Sequence, residues 1–182
     1  MSLLKKSSKL EISEIVPGIW RARAGARASA AYIIKTSPGA VLVDTGPDVT
    51  GASVMQALQR ARVGLRSLRA ILLTGGDGDA AGGASTLRDR SGARVLCSRE
   101  EGAKLHPFEP DGYLIAGDVV EKHIEVVPAP SRGRLAFLFR PDRALFTGDA
   151  PIESFLELAP ELVLPARGPA QRGPNALMAS MS

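Results

Sequence analysis

The stretch ILLTGGDGDAAGG, residues 71–83, carries the strongest structural signal in the chain. The compact apolar run over 70–73 predicts a buried β-strand that ends at Thr74 and opens into a loop of glycines and aspartates. Helical spacing follows over 84–90, with Gly92 as the predicted end of the helix. Ligands of α/β proteins bind at the carboxyl ends of strands, so we expect this acidic loop to lie at a functional edge.

On both sides of this loop, short β-rich runs alternate with helical stretches, which predicts a mixed α/β (α+β) architecture. The predicted strands cover residues 20–24, 31–36, 40–43, 70–73, 93–97, 119–127, 135–140, 144–146 and 162–164. The first three should form an antiparallel meander, and the β-α-β order that follows predicts parallel pairing. A further helix should begin after Val49 with Thr50 as its N-cap, and 152–158 should form one short helix that covers the core.

A chain of 182 residues, 45% of them hydrophobic and 23% charged, predicts a single folded domain over 1–182. Its core should span about 12–168, and the tail over 169–182, rich in small residues and proline, should be a poorly ordered end or a dimer arm. No apolar run is long enough to cross a membrane, and the start is too short in apolar residues for a secretory signal. With one cysteine, Cys97, which should be buried, a cytoplasmic location is the expectation.

The net charge of +4 comes mainly from arginine, which forms two clusters. They comprise Arg21, Arg23 and Arg27, and Arg60, Arg62, Arg66 and Arg69. Basic clusters can attract phosphate backbones, but the aromatic content is only 4%, and single-stranded nucleic acid needs aromatic platforms. A solvated arginine face is therefore the favoured interpretation, and nucleic acid is not an expected partner.

Seven sequence blocks in order, from Val16 to Gly168, together resemble the metallo-β-lactamase superfamily. They are VPGIW, VLVDTG, ILLTGGDGDAAGG, GARVLCSREE, VPAPSRG, LFTGDA and VLPARG. The resemblance implies a four-layer αββα sandwich, with the functional site along the edge where these loops meet. It also implies that Asp79 and Asp149 stand at two metal-ligand positions, with Asp44 supporting the site from behind.

The chain departs from the family pattern at every histidine. In the family the loop reads Thr-His-x-His-x-Asp-His; here the three histidine positions carry Gly75, Asp77 and Ala80. The two later histidine positions fall on Pro130 and Arg167. We therefore interpret the site as degenerate, comprising Asp44, Gly75, Asp77, Asp79, Ala80, Pro130, Asp149 and Arg167, with no catalytic residue assigned.

The chemistry of these replacements argues against zinc as a cofactor. A hydrolytic zinc centre needs about three protein ligands and an open position for water, whereas glycine, alanine and proline have no side-chain donor. The chain has two histidines, His106 in a loop and His123 in a predicted strand, and neither is expected to replace a ligand. Weak Mg²⁺ or Ca²⁺ binding by Asp77, Asp79 and Asp149 remains open, since hard cations prefer oxygen.

Three aspartates close together without a cation would repel each other, so a positive group should neutralise them. The guanidinium of Arg167 could form a bidentate pair with Asp149 or Asp79 and replace the charge of the metal. Three exposed acidic side chains on a mobile loop are the alternative.

Two classes of function follow from this interpretation. The favoured one is a pseudoenzyme that binds a small molecule or a protein partner through the degenerate site, with no membrane association and with a homodimer possible. The alternative is a metallo-hydrolase of the glyoxalase II or lactonase kind with an atypical carboxylate-bound metal; an RNA-binding relative of the family's processing nucleases is a third interpretation.

Overall fold

A computed structural model describes residues 9–25 and 27–173, which form two β-sheets and short helices. The first sheet contains β1 Leu10–Val16, β2 Ile19–Ala24, β3 Ala31–Thr36, β4 Gly39–Val43, β5 Leu68–Leu72, β6 Arg94–Cys97 and β7 Gly112–Tyr113. The second contains β8 Val119–Val120, β9 Ile124–Pro128, β10 Leu135–Phe139, β11 Ala144–Gly148, β12 Leu162–Pro165 and β13 Gln171–Arg172. The α-helices are α1 Ala52–Arg60, α2 Gly78–Ala81, α3 Ala84–Ser91 and α4 Arg99–Gly102, and 3₁₀ turns cover Leu65–Ser67, Ala103–Leu105 and Ile152–Leu158.

Strands of the first sheet lie in chain order, antiparallel from β1 to β4 and parallel from β4 to β7. The predicted meander and the predicted parallel pairing are both confirmed. The second sheet has the order β13-β12-β11-β10-β9-β8 and is antiparallel except for the β11–β12 pair. Because β4, β5 and β6 are parallel, their carboxyl ends share one edge of the sheet and their amino ends share the opposite edge.

Three apolar clusters define the layers. One lies between the two sheets and contains Phe137 and Phe146. A second lies between the first sheet and helices α1 and α3, with Leu58 and Leu87 in it. The third covers the outer face of the second sheet and contains Phe155. The predicted αββα order is therefore confirmed.

The outer layer over the second sheet is thin in the described part of the chain. The predicted single helix there is a 3₁₀ segment, Ile152–Leu158, interrupted at Phe155, whose φ of −127° is not helical. Phe155 is buried while Leu156 is half exposed. Phe155 is therefore the side chain of this segment that is buried against the second sheet.

Other predictions fail at particular residues. The strand predicted over 119–127 is two strands, because Glu121 and Lys122 adopt left-handed backbone angles that L-residues in a strand avoid. Helix α1 begins after Gly51 rather than at Thr50, and a Cβ at position 51 would meet Leu87 at 2.9 Å. Strand β1 was not predicted from the sequence.

The tail prediction is wrong for the part that the structure describes. Gln171 and Arg172 pair with β12 as strand β13, and the Gly173 N–H donates to the carbonyl of Glu161. Residues 174–182 lie outside the described residues. Within the described residues no helix is long and apolar enough to cross a membrane.

Candidate functional site

Asp44 lies directly behind the acidic edge, where β4 ends. Its side chain is buried and accepts hydrogen bonds from the backbone N–H of Thr74 at 2.8 Å and from the Thr74 hydroxyl at 2.7 Å. Burial raises the pKa of Asp44 to about 7, although the Thr74 hydrogen bonds act against the rise. The Asp44 carboxylate therefore links the end of β4 to Thr74 at the end of β5.

Asp77 is the N-cap of helix α2. One of its oxygens accepts hydrogen bonds from the backbone N–H groups of Asp79 and Ala80, at 3.1 and 3.2 Å. The Ala80 side chain is buried, and its carbonyl accepts from the N–H of Thr45 at 2.7 Å. Two of the positions where the family has histidine therefore have structural roles here. Ala80 is buried, and Asp77 accepts hydrogen bonds from the loop backbone.

The other oxygen of Asp77 is bound by Arg134, a residue that the sequence did not single out. Arg134 Nη2 lies 2.5 Å from Asp77 Oδ2, and Nη1 lies 3.6 Å from Asp149 Oδ2. Partial burial alone would raise the pKa of Asp77, but the bond to Arg134 and the backbone N–H donors outweigh it and lower that pKa. The Arg134 guanidinium thus bridges Asp77, which follows β5 of the first sheet, and Asp149, which follows β11 of the second.

Gly75 and Arg134 are sterically linked. A Cβ at position 75 would lie 2.7 Å from Arg134 Nη1 and 3.0 Å from Arg134 Cζ, closer than van der Waals contact allows. The guanidinium therefore occupies the space into which a side chain at the family's first histidine position would extend. With glycine at 75, the guanidinium can hold this position without moving.

Arg167 forms a second bridge across the same edge. Its Nη2 lies 2.5 Å from Asp79 Oδ2, and its Nε lies 4.0 Å from Asp149 Oδ1. The predicted pairing with these aspartates is present, but each carboxylate receives one nitrogen instead of the bidentate fork. Both Arg167 and Asp79 are more than half exposed, so solvent screens this pair more than the Arg134 pair.

Glu101 is a second residue that the sequence analysis missed. Its side chain is 2% exposed; Oε2 accepts from the backbone N–H of Gly76 at 2.8 Å, and Oε1 binds Lys104 Nζ at 2.7 Å. It holds the start of the acidic loop against α4. One sequence feature could have indicated Glu101: it lies three residues after Ser98, the N-cap of α4, in the SREE block.

The structure does not bring the remaining candidates into this network. Pro130 is exposed at the start of the loop that ends at Arg134. His106 and His123 are exposed too, and His123 lies in the turn between β8 and β9 instead of in a strand. Cys97 is buried, as predicted, and burial raises the pKa of its thiol to about 11.

A cavity of about 410 Å³ opens beside the bridged aspartates. Asp149, Glu153, Arg167 and Gln171 supply its polar walls, and Ile152 and other apolar residues supply the rest. A small molecule seated there would face both charge signs.

The residues present do not fit the dinuclear zinc centre of the family. Gly75 and Ala80 have no donor atom, and a guanidinium has no lone pair to give to a metal. Arg134 and Arg167 already bind oxygens of Asp77, Asp79 and Asp149, the carboxylates that would have to act as ligands.

Comparison with known proteins assigns the class. The family model described as the metallo-beta-lactamase superfamily matches residues 24–182, so the chain belongs to this superfamily. No curated protein sequence matches the chain significantly.

Solved structures similar to this chain include several metallo-β-lactamases. One from Pontibacter korlensis has a TM-score of 0.69 at 20% identity, covering 95% of this chain and 97% of that one. One from Hirschia baltica has a TM-score of 0.72 at 17% identity, covering 94% and 95%. One from Cronobacter sakazakii, titled with a HARLDQ motif, has a TM-score of 0.74 at 15% identity, covering 89% and 80%. At these identities the likeness establishes the fold alone.

Proposed function

We propose that the chain is a non-hydrolytic member of the metallo-β-lactamase superfamily that binds a small molecule at the degenerate edge. The observation that carries this proposal is the position of Arg134. Its guanidinium fills the space above Gly75 and lies between Asp77 and Asp149. A permanent positive charge thus lies between Asp77 and Asp149, at whose positions the resemblance implies metal ligands.

The proposal has two further supports. Arg167, at the family's last histidine position, holds Asp79 and reaches toward Asp149. The Cronobacter sakazakii relative is titled with a HARLDQ motif, which contains one histidine. The fold therefore occurs with a named motif that is poor in histidine.

A ligand would bind in the cavity next to the bridges. Asp149 and Glu153 can accept hydrogen bonds, Arg167 can donate them, and Ile152 offers apolar contact. A small polar molecule with both donors and acceptors matches this wall better than a large apolar one.

Metal content tests the proposal directly. Protein produced in zinc-supplemented medium and purified without chelator should contain far less than one zinc per chain by mass spectrometry. It should also show no binding heat with Mg²⁺ or Ca²⁺.

The matched control combines Gly75→His, Asp77→His, Ala80→His, Arg134→Ala and Arg167→His. These changes restore imidazoles and remove both guanidiniums, so we expect this variant to bind zinc. About one or two zinc ions in the wild-type protein, with hydrolysis of a thioester or lactone, would replace this proposal by the metallo-hydrolase alternative.

Ligand binding is tested separately with a fragment library and NMR. Fragments should shift the signals of Ile152, Asp149 and their neighbours, and Ile152→Trp, which fills the cavity, should abolish those shifts. Fragments that bind wild type and Ile152→Trp equally would show that the cavity is not the binding site.

A further inference from the structure

A second cleft lies at the opposite end of the parallel strands from the aspartates. Its volume is about 440 Å³, and its walls include Arg66, Arg69, Arg94, the end of α3 and Glu121. It shares no residue with the cavity at the degenerate edge. An inference about this cleft therefore goes beyond the proposed function.

The topology gathers the three arginines. Arg69 is the second residue of β5, Arg94 is the first of β6, and Arg94 pairs with Ala70 in the parallel register. Neighbouring strands lie about 4.8 Å apart, so the backbones of Arg69 and Arg94 are close. Arg66 comes from the 3₁₀ turn immediately before β5.

Buried neighbours hold these backbones in place while the charged ends remain exposed. Leu68, Ala70 and Val95 are at most 2% exposed, whereas the arginines beside them are exposed. Two of the three arginines, Arg69 and Arg94, thus stand at the starts of paired strands.

Positive charge exceeds negative charge among the residues that line this cleft. In the described parts of the chain, no ion pair involves any of the three arginines. Glu121 is the one carboxylate among the residues that line the cleft. Three arginines, which stay charged at any physiological pH, therefore line a cleft with one carboxylate, and an anion bound there would offset their net positive charge.

We propose that this cleft binds the phosphate groups of a small phosphorylated molecule. Guanidinium forks bind phosphate oxygens two at a time, and three forks in one cleft suit a ligand with two adjacent phosphates. The volume fits a small molecule, and the residues that line the cleft include no aromatic ring on which a nucleic-acid base could stack. These two features favour a free phosphorylated compound over RNA.

Titration calorimetry with inorganic pyrophosphate tests the proposal. The Arg69→Gln/Arg94→Gln double variant should weaken binding about tenfold or more, because it removes two charged donors. The matched control is Arg60→Gln/Arg90→Gln, which removes the same charge from exposed helical positions that do not line the cleft. The control should change the dissociation constant less than about twofold. Equal losses in the two double variants would show that net charge, not the cleft, attracts the anion and would overturn the proposal.

Two further titrations distinguish the sources of phosphate. A single-stranded RNA and vesicles containing phosphatidylserine are each tested at ~50 and ~200 mM salt. Binding of pyrophosphate without tight RNA or vesicle binding supports the small-molecule ligand. RNA or vesicle binding that depends on Arg69 and Arg94, without pyrophosphate binding, would replace it by a polyanion surface. All variants alter exposed side chains, so circular dichroism should show unchanged folding.

Discussion

The two ends of strands β4 to β6 differ in whether their charged side chains form ion pairs. At the carboxyl end, Asp77, Asp79 and Asp149 meet Arg134 and Arg167 in a bridged network. At the amino end, three arginines share a cleft with one carboxylate. The ion pairs at the carboxyl end contribute to the stability of the fold. At the amino end the three arginines form no ion pair in the described chain, so they are available to bind an anion.

The difference between the two ends predicts how much folding free energy each substitution costs. Substitutions at the carboxyl end should cost folding free energy according to how deeply the group is buried. Substitutions at the amino end should cost almost none and should change ligand binding instead.

The largest effect should come from the buried Asp44. Its pKa is raised to about 7 from a usual value near 4, so the native state holds its proton more tightly than the unfolded chain does. The free energy of unfolding should therefore fall as pH rises from about 4 to about 7, by at most ~1.4 kcal/mol per pH unit. Urea unfolding across this range should show that Asp44→Asn flattens the slope. Parallel profiles for the two proteins would assign the pH dependence to other groups.

Next in size is the loss of Arg134. Arg134→Leu leaves Asp77 and Asp149 without their shared counter-charge, and we expect a loss of about 1–2 kcal/mol at pH 7. The pKa of Asp77 is lowered in the native state, so this loss should shrink as pH falls below about 4 and the carboxyl takes up a proton. Arg132→Leu, an exposed arginine of the same loop, is the control. An effect equal to that of Arg134→Leu would contradict the bridging role.

A double-mutant cycle tests the steric link between positions 75 and 134. Gly75→Ala should push the guanidinium away from Asp77 and cost about 1 kcal/mol. In the Arg134→Leu background the ion pair is already absent, so the same alanine should cost much less. Thermal or urea unfolding of the four proteins measures the coupling, and additive effects would argue that the alanine acts on the loop backbone alone.

The smallest effects should come from the most exposed groups of each edge. Arg167→Leu should cost less than about 1 kcal/mol, because its pair with Asp79 is open to solvent. Arg94→Gln should change stability by less than about 0.5 kcal/mol, or increase it slightly by removing repulsion. If Arg94→Gln were the more destabilising of the two, the amino end would be structural and the contrast between the ends would be lost.

Much of the fold could be predicted because local signals agreed with the global pattern. The apolar run before Thr74, the helix ending at Gly92 and the β-α-β order all appear in the structure. Two of the failures fall where a positive φ decides, at Glu121 and Gly51. Periodicity does not carry information about such angles.

The candidate site was predicted less completely. Asp77, Asp79, Asp149 and Arg167 do come together, as the order of the blocks indicated. Arg134 was missed because 57 residues separate it from Asp77, and nothing near it in the chain distinguishes it from a surface arginine. Glu101 was missed because its burial depends on the packing of α4 against the acidic loop.

From the sequence by itself came the superfamily and the layered architecture, because residue identity and block order are properties of the chain alone. Only the tertiary structure decided which charges meet. The packing of the two sheets brings Arg134 next to Gly75, and the parallel register of β5 and β6 pairs Arg94 with Ala70, the residue after Arg69. Electrostatic energy depends on distance in space, and distance along the chain does not determine it.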